Sequence, residues 1–159
     1  IKYQINNYDI DYNFRNQPLE ITSKLETKDL ISRVNGKILL NVGKVIGLQS
    51  NLFEEAERVN PIEINFPNEY SYEIEFLIPK GYKVLTIDNL IKDRKYISVD
   101  GNVTAQFKSS ANIVNNKLTI KISEYYKSFK YEKNRYNEFR DVINTAAEFY
   151  ESNIELEKN

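Results

Sequence analysis

Apolar and polar residues alternate one for one along most of this chain, the pattern of strands with one buried and one wet face. In the opening "IKYQI" the apolar positions are Ile1, Tyr3 and Ile5; in "YDIDYNF" they are Tyr8, Ile10, Tyr12 and Phe14. The parity flips across Asn6-Asn7, which predicts either a two-residue hairpin turn there or a β-bulge. Further strands are expected at 19–25, 37–42, 62–66, 70–78, 82–87, 95–99, 102–109 and 117–126. Turn chemistry separates them: Asn35-Gly36, Pro79-Lys80-Gly81, Asp100-Gly101 and Asn115-Asn116. Asp100-Gly101, set between two alternating runs, is the clearest hairpin signal.

Only "NRYNEFRDVINTAAEFY" (134–150) has a helical period, with Tyr136, Phe139, Ile143, Ala146 and Tyr150 at three- and four-residue steps. Asn134 suits its N-cap, and Glu138 and Asp141 lie toward its positive end. Alternation then returns in "NIELEK", with Ile154 and Leu156 on one face, while 50–58 reads as one helical turn or a loop. Many short strands with regular turn signals and one late helix predict an all-β fold, an antiparallel β-sandwich with one C-terminal helix. Residues 1–159 read as one domain, long enough to bury a core without disulfides or a structural metal.

The residue types narrow the chemistry. The chain has no cysteine and no histidine, so the Ser-His-Asp and Cys-His arrangements cannot be completed within it, nor can zinc–thiolate sites. Its 22 basic and 23 acidic residues leave no net field to attract nucleic acid or an anionic membrane. The apolar runs, such as Ile38-Leu39-Leu40, are too short to cross a bilayer, so no membrane insertion is expected. No glycine-rich phosphate loop occurs, and no catalytic, metal or cofactor residue is expected.

Three constellations stand out. Asp9, Asp11, Asn13 and Glu20 have the spacing of a calcium loop, but Phe14 occupies the glycine position and no helices flank it. The stretch reads instead as the polar face of a strand. Carboxylates pair at Glu54-Glu55 and at Glu73 with Glu75, the latter alternating with Tyr72, Ile74 and Phe76 as a solvated strand face. "SEYYKSFKYEKNRY" interleaves aromatic and basic residues, and Tyr125, Tyr126 and Tyr131 are its candidates for a sugar- or peptide-binding platform. Glu124 and Glu132 dilute the charge of that stretch and argue against nucleic acid.

The segment 51–84 carries Asn51 and Phe53, Arg58, Pro61-Ile62-Glu63, Phe66, Ile78-Pro79 and Gly81-Tyr82. In that order these residues resemble a domain of unknown function at the C-terminal end of bacterial transglutaminase-like proteins. The closing "YNEFRDVINTAAEFYESNIELEK" resembles that family's last helix and strand, although Ile87-Asp88 replaces an expected second proline. The resemblance implies an immunoglobulin-like sandwich downstream of a transglutaminase-like domain, in a protein exported to the periplasm or cell envelope. The start at Ile1 then reads as that of an excised piece. On this resemblance the chain is a non-catalytic accessory domain whose partner is the upstream domain of the same protein. The alternative is a free-standing module that binds glycan or peptide through exposed tyrosines.

Overall fold

The computed structural model describes residues 4–10, 21–53 and 58–159; for residues 4–10 and for Leu25 the backbone alone is described. Strands β1 (Gln4–Ile10) and β2 (Ile21–Glu26) pair antiparallel. β1 runs unbroken through Asn6-Asn7, and its register against β2 shifts between Ile5 and Asn7. The parity flip is therefore the bulge and not the turn.

β3 (Ile31–Val34) and β4 (Lys37–Leu40) form a hairpin on Asn35-Gly36, both residues having positive φ. β3 was not expected as a strand. All four of its residues are exposed, so it lacks the alternation that marks the others. After β4 the chain makes a 3-10 turn over Val42–Ile46, then a long connection to the short β5 (Ile62–Glu63). Next come β6 (Asn68–Leu77), β7 (Tyr82–Val84), β8 (Lys92–Ile97), β9 (Val103–Val114) and β10 (Lys117–Tyr126). β11 (Lys130–Tyr131), helix α1 (Tyr136–Tyr150) and β12 (Ile154–Lys158) complete the order.

The fold is mostly β. Two antiparallel four-stranded sheets, ordered β6-β10-β9-β8 and β3-β4-β12-β7, contribute to a common core, and α1 packs against it. β9 and β10 are joined by Asn115-Asn116, both at positive φ, the two-residue turn whose twist matches a hairpin. The Asp100-Gly101 hairpin also forms, as a longer loop in which the Ser98 amide donates to Asn102 O over 2.8 Å.

The Pro79-Lys80-Gly81 turn does something other than join neighbours. β6 and β7 lie in different sheets, so this corner carries the chain from one sheet to the other. Gly81 holds φ at +83°, and the Tyr82 amide donates back to Pro79 O over 3.1 Å. A side chain at Gly81 would be strained there.

The core sits between the sheets and under the helix. Ile38, Leu40, Ile154 and Leu156 project from one sheet, and Leu118, Ile120 and Ile122 with Ala105 and Phe107 from the other. The buried stripe of α1 is Phe139, Val142, Ala146 and Phe149, so Val142 and Phe149 replace the expected Ile143 and Tyr150 at its centre. The N-cap is Arg135, with no side-chain cap bond; Asn134 lies in a 3-10 turn over Lys133–Arg135. Arg135 Nε instead reaches Glu138 Oε1 over 2.9 Å, one turn into the helix. Among the described residues no helix is long and apolar enough to cross a membrane.

Candidate functional site

The expected tyrosine platform does not assemble. Strand alternation sends Tyr126 to the inner face of β10 and Tyr125 to the outer one. Tyr131 is 2% exposed, wedged against Phe139 at a ring separation of 4.4 Å and edge-on to Tyr96 at 5.2 Å, with its hydroxyl donating to Thr104 O over 3.1 Å. Tyr126 is also buried, its ring 5.9 Å from Phe139. Tyr125 is half-buried under Lys127, 4.1 Å from the ring centre, and contacts Gln106 Oε1 at 3.1 Å. These residues are core and solvated sheet surface, and they do not present coplanar rings.

The other constellations resolve as plainly. Glu73 faces Lys121 at 3.5 Å, and Glu75 pairs with Lys117, all on the outer face of the β6–β10 pair, as the alternation predicts for a wet strand face. Such exposed ion pairs contribute between nothing and about 1 kcal/mol. Glu54-Glu55, and Asp11, Asn13 and Glu20 of the calcium-like spacing, lie outside the described residues; Asp9 is described only as backbone in β1. Among the described residues no group of three or more acidic, His or Cys side chains is placed to hold a metal ion.

The feature with the chemistry of a site is a cleft of about 480 Å³ at one end of the inner face of the β6–β10 pair. Three cross-strand pairs form its floor: Asn68 opposite Tyr126, Tyr70 opposite Glu124, and Tyr72 opposite Ile122. Ile46 and Gln49 from the β4–β5 connection, Ile64 after β5, and Phe139 and Ile143 of α1 line the rest. The mix of apolar and aromatic walls with a few polar groups is that of a ligand pocket, and its size is in the range of such pockets.

Among the described residues Glu124 is the one charged residue lining the cleft, and it is only 5% exposed. Burial pushes its carboxyl above the usual glutamate range, partly offset by the Tyr126 hydroxyl, which donates to Glu124 Oε1 over 2.8 Å. Burial likewise raises the Tyr126 phenol strongly, with the neighbouring Glu124 adding to it. Tyr72 is raised in the same sense, and its hydroxyl reaches Ile46 O at 3.4 Å, tying the cleft wall to its floor. Asn68 donates through Nδ2 to Phe66 O over 3.3 Å, while its Oδ1 is buried without a hydrogen-bond partner.

The sequence carried a signal for this site. In "KLTIKISEYY" the inward positions are Leu118, Ile120, Ile122, Glu124 and Tyr126, so an acid stands in phase with the core. A carboxyl on the buried parity of a strand is costly and calls for a partner. In the sequence Glu124 stands out only as an acid that dilutes the charge of its stretch, and its parity was the overlooked signal.

The cleft lies entirely within a recognised domain. Residues 36–156 match the family model of DUF3858, a domain of unknown function with solved structure. The chain belongs to the DUF3858 family. The family match takes in β4 through most of β12, along with the resemblance-bearing segment 51–84, and leaves β1, β2 and β3 outside it. No named relative connects this DUF3858 domain to transglutaminase-like proteins: no curated protein and no solved structure matches the chain.

Proposed function

We propose that this DUF3858 domain is a non-catalytic binding module that engages a protein segment through the Glu124 cleft. It would serve as the accessory part of an exported, transglutaminase-like envelope protein. The observation that carries the reading is the composition of the cleft. Among the described residues it has one buried carboxyl, three tyrosines and apolar walls, with no second carboxylate to complete an acid–base pair. Such walls suit capture and orientation better than bond-breaking.

An immunoglobulin-like arrangement is the finer reading of the fold. Support comes from the two antiparallel sheets and from the Pro79–Gly81 corner by which the chain changes sheet. The residue order of 51–84 supports the upstream enzymatic partner and the envelope location, and no catalytic residue is assigned to this chain.

A glycan is the second reading, favoured by one observation: Tyr70 is 46% exposed at the cleft and has Tyr72 beside it on the same strand face. These two, with Tyr126, would replace the Tyr125, Tyr126 and Tyr131 set expected from the sequence.

The accessory role is tested by reading the gene upstream of the codon for Ile1. An export signal and a domain with a Cys, His and Asp set support it; a start codon directly upstream contradicts it. In the full protein, Tyr70→Ala should then alter selection among protein substrates while leaving turnover of a small model substrate unchanged.

A further inference from the structure

We infer that the cleft takes a primary ammonium carried on an aliphatic stem, as a lysine side chain of a partner protein presents it; this rests on reading the cleft as a binding site. Glu124 is buried among Tyr70, Tyr72, Tyr126 and Phe139, and among the described residues no lysine or arginine lines the cleft. No cation is among the groups that act on its carboxyl. A buried acid without a cation is a standing cost, which a well-placed incoming positive charge offsets.

A second acceptor points to the same ligand. Asn68 and Tyr70 are two apart on β6, opposite Tyr126 and Glu124 respectively, so Asn68 Oδ1 and the carboxyl occupy the same end of the floor. Oδ1 has no partner. An ammonium brings three donors and no acceptor, which matches two acceptors side by side.

The walls choose between cations. Tyr126 already donates to Glu124 Oε1, so that oxygen is partly taken and Oε2 is the more open one, a poorer match to the two-pronged fork of a guanidinium. A compact ammonium needs only one. Ile46, Ile64 and Ile143 can cover a four-carbon stem, and the tyrosine rings can face the charge.

Calorimetric titration of the chain tests this with three probes: a short lysine-containing peptide blocked at both ends, the same peptide acetylated on the lysine side chain, and cadaverine. The expected result is binding of the lysine peptide at least about tenfold tighter than its acetylated form, the scale of a charge-assisted contact. Glu124→Gln, shown to fold by its thermal unfolding, should lose the same factor, and Asn68→Ala should weaken binding too. Equal affinity for the charged and acetylated peptides, or no effect of Glu124→Gln, overturns the ammonium but leaves the cleft a binding site. Cadaverine binding as tightly as the peptide overturns the protein source and assigns a free amine. If the chain binds none of the three probes, the inference falls; if a glycan panel titrated in the same way also fails to bind, the binding-module reading falls with it.

Discussion

Tyr126 and Glu124, two residues apart on β10, share the buried face of the strand and are joined by a 2.8 Å hydrogen bond from the phenol to the carboxyl. The bond only partly offsets what burial costs the charge. The sign of the pH dependence follows. A carboxyl whose value is raised by folding favours the folded state while protonated, and that contribution fades as pH rises from the usual glutamate value of 4.5 through the raised one. Tyr126 and Tyr72, which face it, are both held above the ordinary tyrosine range by burial and stay protonated across this window. Glu124→Gln should therefore unfold with less pH dependence than the parent protein above pH 4.5, and be at least as stable at neutral pH. Chemical denaturation at a series of pH values measures it.

Phe149 is fully buried on α1, with its ring 5.7 Å from that of Phe107 on β9. Phe149→Ala leaves a cavity where helix and sheet meet and should cost about 3–5 kcal/mol. Urea titration should show a lower midpoint with an unchanged slope if the variant still unfolds in one step.

Gly43 lies where the Val42–Ile46 turn crosses the end of α1. A Cβ built there would stand 1.9 Å from Phe149 O and 2.6 Å from Tyr150 O, both backbone atoms that a rotamer change cannot move. Gly43→Ala should destabilise by about 1–3 kcal/mol or more, despite being a helix-friendly change on paper. The same urea titration checks it.

Asn144 on α1 holds the β4–β5 connection at one point. Its Oδ1 accepts from the Leu52 amide over 2.7 Å, and its Nδ2 donates to Leu52 O over 3.2 Å. Asn144→Ala should cost about 1–2 kcal/mol and speed hydrogen exchange at the Leu52 amide, with β9 and β10 amides quickened only as far as the loss of global stability dictates.

Most strands were legible because alternation is visible wherever one face is buried. β10 has the bounds expected from the sequence, and β6, β8 and β9 differ from expectation chiefly at their ends. Where burial does not alternate, the pattern is silent, and β3, exposed throughout, was missed; at 62–66 the alternation overstates a strand that pairs over only two residues with Lys130-Tyr131. Sheet membership is not written locally either. Pro79-Lys80-Gly81 has the chemistry of a turn whether the next strand pairs with the last or joins the opposite sheet. The site failed for a related reason. Tyr126 and Tyr131 sit among lysines in the chain, but alternation and the approach of Phe139, a helix away, bury them. Glu124 could have been found from its parity alone. Tyr70, Tyr72 and Asn68 become its neighbours only through the β6–β10 register.

The most direct test of the central claim is amide chemical-shift mapping during titration of the chain with the lysine-containing peptide. The account predicts saturable shifts concentrated at Asn68, Tyr70, Tyr72, Glu124 and Tyr126, together with Ile143 across the cleft. Shifts clustered instead on the outer face, around Lys121, Gln106 and Tyr125, would contradict it.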